Sequence, residues 1–551
     1  MNGSHRTSVP FAVVVAVALA YSLLETDPTR AQAASPCESL KSTQLSNTTI
    51  TASDLIAAGA FGGPAGGSAD YKTLPAFCRV QGVIAPSTDS HIEFEVWMPA
   101  TGWNGKYQGV GNGGFAGAIT YSQLAAALSV GYATASTDTG HKAGGTDAQW
   151  ALGHPEKIVD YGYRAIHETA DKAKTLIRTF YGQPAKYAYF TGCSNGGRQA
   201  LMEAQRFPED YDGIIAGAPA ADFTRTAALF ASNLLATGDR STFIPAAKFS
   251  AVDAAVVAAC DARDGLKDGL VTEPARCAFD PTVLLCRNEE SDACLTPPQI
   301  ATLKKLYAGL RTGQGQGIFP GFIPGAESGP GGWGTWLSGT APDASLEYAF
   351  ATQFFKNMVY KNPSWDYRTF DVDRDFKAAD ATLGQTLNAT NPDLGAFQKR
   401  GGKLILFHGW SDAALPPAAT IDYYKNVVAR LGQQQTESFI RTYMMPGVQH
   451  CSGGPGADSF GILPGFPPAE PDPARNMSAA MVRWVEQGTA PSTIVATKYK
   501  GRTPADGVAF TRPLCPYPTV ARHTGSGSSD DAANFVCASP AAATAKSGKK
   551  P

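Results

Sequence analysis

An α/β architecture, a doubly wound sheet interrupted by one large insertion, is what the sequence predicts, and three observations predict it. Between Ile92 and Asp222 apolar stretches, glycine turns and helical segments alternate, as they do where crossover helices join parallel strands. From Phe223 to Ala389 that alternation lapses: prolines and glycines cluster between Pro320 and Trp336, and Cys260, Cys277, Cys286 and Cys294 crowd together. A buried-strand signal then returns at Gly401 to Gly409, so the sheet resumes beyond the insertion.

The elements follow in order. Arg6, the apolar run Phe11 to Leu24 and the small-x-small site Ala31-Gln32-Ala33 predict a cleaved signal peptide over residues 1–33. The run is shorter than the roughly 20 residues a spanning helix needs. The mature chain is therefore expected to be secreted or periplasmic, with no membrane association. The first part of the core, 34–222, contains strands at Glu93 to Met98 and Gly131 to Asp138. A helix follows at Tyr163 to Tyr181, where Ile166, Ala170, Ala173, Leu176, Ile177 and Phe180 recur at helical spacing. Tyr187 to Phe190 is a short buried strand. The insertion, a lid domain, spans 223–389, and the core resumes over 390–538 with strands near Leu404 to Phe407 and Tyr443 to Met445. The Ala-, Lys- and Ser-rich stretch 539–551 reads as a disordered tail.

The chain has 551 residues, more than a single hydrophobic core usually organises. Its 46 basic and 48 acidic side chains nearly cancel. No net field favours nucleic acid or an anionic membrane, and a neutral or small organic substrate suits the balance better.

Gly192-Cys193-Ser194-Asn195-Gly196 fits G-x-S-x-G between the Tyr187 strand and a helix-like run at Arg198 to Arg206. That context defines a nucleophile elbow and makes the expected fold an α/β-hydrolase fold. The strand turns so sharply into the helix that small flanking residues are required, and the serine hydroxyl is left exposed above the sheet. A serine needs a base, and the base needs an orienting acid; in this fold the chain order is Ser, Asp, His, each at the end of a later strand. Asp412 follows the Leu404 strand and His450 the Tyr443 strand. His408 comes before Asp412, breaks the order, and is expected to support the site from behind. Backbone N–H groups of Gly111, in the Gly109 to Gly114 loop, and of Asn195 are the expected oxyanion donors.

Ten cysteines in an exported chain point to disulfides. Spacing does not fix the connectivity, but Cys260/Cys277, Cys286/Cys294, Cys515/Cys537 and Cys37/Cys78 are near neighbours able to close local loops. Cys193 and Cys451 remain, one beside the nucleophile and the other beside the base. A bond between them requires Cα atoms within about 7 Å, which a Ser194–His450 pairing would itself impose. In the insertion, Asp261, Asp264 and Asp268 lie on a glycine-punctuated loop. Their carboxylates, with the main-chain carbonyls of Leu266 and Leu270, suit a structural Ca²⁺.

Taken together, Gly192 to Arg198, Ser411-Asp412 and His450 to Gly456 resemble the tannase/feruloyl esterase family over nearly the whole mature chain. Thr511 to Pro518 and the acidic Cys260 to Leu270 loop extend the likeness. The resemblance implies a serine carboxylic ester hydrolase, a disulfide joining the neighbours of the catalytic serine and histidine, and calcium in the lid. It also implies aromatic ester substrates: hydroxycinnamoyl esters such as feruloyl sugars of plant cell walls, galloyl esters of polyphenols, or mono(2-hydroxyethyl) terephthalate. In terephthalate-ester hydrolases a lid arginine grips the free carboxylate, and no arginine occurs here between Arg311 and Arg368. Phe350, Phe354, Phe355 and Leu415 are the expected walls for a flat aromatic acyl group. A serine peptidase and a non-catalytic calcium-stabilised binding protein are the alternatives, beside a mono(2-hydroxyethyl) terephthalate-type hydrolase. Peptide turnover would mark the first, and failure to react with a fluorophosphonate probe the second.

Overall fold

The computed structural model describes residues 36–64, 71–462 and 471–540. The expected signal peptide at 1–33 and the expected tail from 541 onward lie outside them. Among the described residues no helix is long and apolar enough to cross a membrane.

Nine strands build the central sheet: β1 (Thr48–Ile56), β2 (Phe77–Ile84), β3 (Ile92–Pro99), β4 (Lys106–Val110), β5 (Ala133–Thr137), β6 (Tyr187–Cys193), β7 (Gly213–Gly217) and, beyond a short hairpin of β8 (Leu310–Arg311) and β9 (Gly317–Phe319), β10 (Lys403–Gly409) and β11 (Ile440–Met445). The sheet order is β1-β2-β3-β5-β4-β6-β7-β10-β11. Pairings from β1 to β5 are antiparallel, and those from β5 through β11 are parallel. The parallel strands are covered on both faces: every residue of β7, and all of β6 and β10 after their first, is buried. That is why these strands read as unbroken apolar runs. The sheet begins at Thr48, earlier than the sequence pattern showed. Only Ile50 and Ser53 of the edge strand β1 are buried, so it carries no alternation to detect.

Helices α1 (Tyr121–Ser129), α2 (Pro155–Val159), α3 (Ala165–Tyr181) and α4 (Asn195–Arg206) lie among the strands of the first half. The predicted apolar stripe of α3 is its buried face, and the helix stops at Gly182, whose φ of 71° supplies the left-handed turn. Between β7 and β10 come α5 (Phe223–Thr237), α6 (Phe249–Cys260), α7 (Pro297–Ala308), α8 (Leu346–Gln353) and α9 (Val372–Leu387), and this stretch adds no strand to the central sheet. Its core packs Leu229, Val252, Leu303 and Phe354 into one cluster with Ala413, Ala414 and Leu415 from the loop after β10. The insertion thus shares a hydrophobic core with the edge of the sheet that it covers.

Five disulfides pair Cys37–Cys78, Cys260–Cys277, Cys286–Cys294 and Cys515–Cys537 locally, and Cys193–Cys451 across 258 residues.

Candidate active site

Strand β6 ends at Cys193, and Ser194 turns the chain into α4 with φ 65° and ψ −122°. The turn is possible only because its neighbours lack side chains. A Cβ on Gly192 would meet the Gly196 oxygen at 2.4 Å, and one on Gly197 would meet the Gly217 oxygen at 2.2 Å. Ser194 N–H donates to the Gly217 carbonyl at 3.0 Å, which ties the elbow to β7.

Asp412 and His450 stand at the ends of β10 and β11, as expected. His450 Nδ1 lies 2.7 Å from Asp412 Oδ2, while Asp412 Oδ1 accepts from the N–H groups of Ala414 (2.7 Å) and Leu415 (2.8 Å). His408 reaches the same carboxylate from behind, with Nε2 3.0 Å from Asp412 Oδ2 and Nδ1 2.8 Å from Thr420 Oγ1. Burial acts to raise the Asp412 pKa, but the adjoining His450 and His408 outweigh it and hold this carboxyl well below the usual carboxylate range. The carboxylate is thus held against the Nδ1 side of the His450 ring. The Cys193–Cys451 bond, with a Cα separation of 6.1 Å, ties the elbow to the histidine loop. The same loop is anchored to the insertion by Gln449 Nε2, which donates to the carbonyls of Ala326 (3.1 Å) and Ser328 (2.7 Å). Among the described residues Ser194 Oγ makes no hydrogen bond, so the expected contact with His450 is open. Such contacts often tighten only when substrate is bound.

The oxyanion donors need one correction. Gly111 N–H is already spent on the Thr191 carbonyl at 3.0 Å, where the β4–β6 pairing continues past the strand, so it is not free to donate. Gly114, three residues on, borders the same cavity as Ser194 and Asn195. Neither Gly114 N–H nor Asn195 N–H, the latter at the first position of α4, has a partner among the described residues. A network absent from the sequence reading fixes Asn195: its Oδ1 accepts from Tyr161 Oη (3.0 Å) and Arg198 Nε (2.8 Å), and its Nδ2 donates to Asn112 Oδ1 (3.2 Å). Arg198 is fully buried and also donates to the carbonyls of Tyr161 (3.0 Å) and Gly162 (2.8 Å).

The cavity beside Ser194 is tight, about 50 Å³, and lies between the elbow and the insertion. Phe350, Phe354 and Leu415 line it as expected. Phe355 does not: it points into the insertion's own core, with its ring centroid 5.0 Å from Trp365 and 5.4 Å from Phe370. Adjacent residues on a helix face different ways, and the apolar run alone did not say which faced the cavity. Trp336, Phe115, Phe223 and Phe230 complete the wall. Trp336 stacks on Phe350 (6.1 Å, 11°) and stands edge-on to His450 (5.2 Å, 74°), but it lies in the Gly/Pro-rich stretch, where no periodicity marks it. Among the described residues no charged side chain lines this cavity.

In the acidic loop, Asp264, Leu266, Asp268 and Leu270 border one small cavity. Asp261 lies behind, its carboxylate accepting from the N–H groups of Asp268 (3.3 Å) and Gly269 (3.2 Å). Burial, with a smaller push from the neighbouring Asp268 and Asp261, raises the Asp264 carboxyl, while Arg512 pairs with Asp268. Carboxylates are the donor type that a hard divalent cation takes, but Arg512 and His523 border the same space, and Asp261, Asp264 and Asp268 are not drawn within 4.8 Å of one another as a group of three.

The model of a family described as tannase and feruloyl esterase matches residues 78–538. An uncharacterized esterase of Xanthomonas campestris pv. campestris is 45% identical over 532 residues, covering 92% of each chain. A mono(2-hydroxyethyl) terephthalate hydrolase of Piscinibacter sakaiensis is 34% identical, again over 92% of each. The crystal structure of feruloyl esterase B from Aspergillus oryzae superposes with a TM-score of 0.84 at 31% identity, covering 91% of this chain and 99% of that one.

Proposed function

The chain belongs to the tannase and feruloyl esterase family of carboxylic ester hydrolases, and from that premise we propose that it is exported and cleaves esters of uncharged aromatic acids, feruloyl or galloyl, through an acyl-enzyme on Ser194. The observation that carries the reading is the cavity itself. Its walls are Trp336, Phe350, Phe354 and Phe115, and among the described residues no cation lines it to hold a second carboxylate. A flat neutral ring gains by burial against such walls, whereas a terephthalate monoanion would lose its hydration without a partner. The alcohol half, a cell-wall sugar or a polyphenol, would remain outside.

In this mechanism His450 Nε2 takes the proton of Ser194 as Oγ attacks the ester carbonyl, and Asp412 Oδ2 holds Nδ1 so that the imidazolium is stabilised. The N–H groups of Asn195 and Gly114 stabilise the tetrahedral oxyanion. His450 then returns the proton to the leaving alcohol, and the cycle repeats with water. The insertion 223–389 serves as the lid that supplies the aromatic wall. Asp261, Asp264 and Asp268 with the carbonyls of Leu266 and Leu270 would hold Ca²⁺, whose role is to neutralise the buried carboxylates and fasten the loop.

Methyl ferulate, methyl gallate and mono(2-hydroxyethyl) terephthalate compared side by side test the substrate class. The first two are expected to exceed the third in kcat/KM by about tenfold or more, since an unpaired buried charge costs several kcal/mol, and the reverse order would overturn the assignment. Ser194→Ala should lose roughly 10⁴-fold or more of kcat and all fluorophosphonate labelling, with its melting temperature intact. For calcium, chelation should lower the melting temperature and added Ca²⁺ should restore it; an Asp264→Asn protein that still responds equally to Ca²⁺ would remove the site.

A further inference from the structure

Away from Ser194, α3 and α4 hold a second group of chemistry-bearing side chains that ester hydrolysis does not use. Glu203, on α4, is fully buried, and neither of its carboxylate oxygens has a hydrogen-bond partner among the described residues. His167 on α3 and Asp210 in the loop before β7 complete the group. One ligand atom from each of the three lies within 4.8 Å of the other two. His167 Nδ1 stands 2.6 Å from Asp210 Oδ2, and its ring is stacked on Phe207 at 3.8 Å and 8°, which fixes the imidazole with Nδ1 turned inward. Lys174 Nζ approaches only the other oxygen of Asp210, at 3.4 Å.

Two carboxyl groups pressed together with no donor between them need a shared proton or a cation. Burial, and after it the charge of Asp210, lifts the Glu203 carboxyl well above its ordinary range. An imidazole nitrogen beside two carboxylate oxygens is a borderline-soft donor set, unlike the all-oxygen acidic loop. Asp210 also borders a surface cavity with Lys174 and Glu209.

We propose that His167 Nδ1, Glu203 Oε and Asp210 Oδ2 form a binding site for one divalent transition-metal ion of the zinc type, which clamps α3 and α4 to the loop entering β7. Glu203 is nine residues beyond Ser194 on the same helix, about 13 Å along its axis. The ion therefore braces the helix beneath the nucleophile and takes no part in the chemistry. Binding displaces the hydrogen bond between His167 and Asp210.

The test is a calorimetric titration of the full mature protein with ZnCl₂, after EDTA treatment and with Ca²⁺ saturating so that the acidic loop is not the acceptor. One equivalent of zinc should bind and raise the melting temperature, and Co²⁺ in its place should give visible absorption of a four-coordinate ion. Glu203→Gln and His167→Asn should each weaken binding at least tenfold. If Glu203→Gln does not fold, His167→Asn carries the comparison alone, because His167 is partly exposed. An absence of zinc uptake, or uptake undiminished in the folded variants, overturns the proposal.

Discussion

Gly114 has a φ of 56°, and a Cβ there would meet the Gly145 oxygen at 2.2 Å. Gly114→Ala must therefore shift the loop that carries the proposed oxyanion donor. A loss of about 10²–10³ in kcat with KM little changed is expected, the magnitude usual for one lost donor, and steady-state kinetics on methyl ferulate would show it. An equal loss in both Ser194→Ala and the double variant would confirm that the donor acts on the same step. At this scale the placement of Ser194, Asp412 and His450 was legible in the sequence, because an elbow serine, and an acid and an imidazole placed after later strands, are backbone requirements written in residue type. Gly111 misled because a free N–H depends on strand register, which sequence spacing does not reveal. Asn112, Tyr161 and Arg198 were illegible as a group, since three separate segments bring them to Asn195.

Between elements, the Cys193–Cys451 bond joins the end of β6 to the loop after β11, strands that are not neighbours in the sheet. The Cys193→Ala, Cys451→Ala double variant is expected to lose about 2–5 kcal/mol of stability. It should also lose kcat more steeply than KM rises, because a displacement of about 1 Å at a reacting group costs roughly 10²-fold. Thermal melting and kinetics on the same preparation separate the two effects; unaltered kcat in a folded variant would mean that His450 needs no tether. Of the strands in the parallel part of the sheet, β5, β6, β10 and β11 were read in the sequence and β4 and β7 were not; β1 and β2 were missed as well, and an exposed edge such as β1 needs few apolar residues. The cavity wall was half readable. Aromatic residues are visible in a sequence, but whether one faces substrate or its own core, as Phe354 and Phe355 show, is decided by helix packing.

For the whole molecule, the pH dependence of stability has an identifiable contributor in Glu327. It is fully buried in the insertion, and although Tyr307 Oη and Gly325 N–H donate to it, burial pushes its carboxyl up from 4.5 to about 7. Because the folded value is the higher one, the folded chain holds more protons than the unfolded chain between pH 4.5 and 7. Stability from this group is complete below about 4.5 and is lost as pH rises through 7, on the order of 3 kcal/mol. Glu327→Gln, neutral at every pH, should melt a few degrees above the native protein at pH 8 and close to it at pH 4.5; parallel melting curves across that range would dismiss the assignment. The two-part layout, a sheet interrupted and resumed, was legible because the strand and helix pattern itself stops and restarts. Which side chains bind the two parts was not, since Gln449 and the carbonyls of Ala326 and Ser328 meet across more than 100 residues.

That seam limits how the enzyme can admit a ligand. Ala413 to Leu415 belong to the insertion's core, and Gln449 is fastened to its backbone, so a cover swinging away as one rigid flap would drag both the acid and the base out of line. Trp336 and Phe350, partly exposed beside the cavity, are the wall residues that can yield without moving that frame.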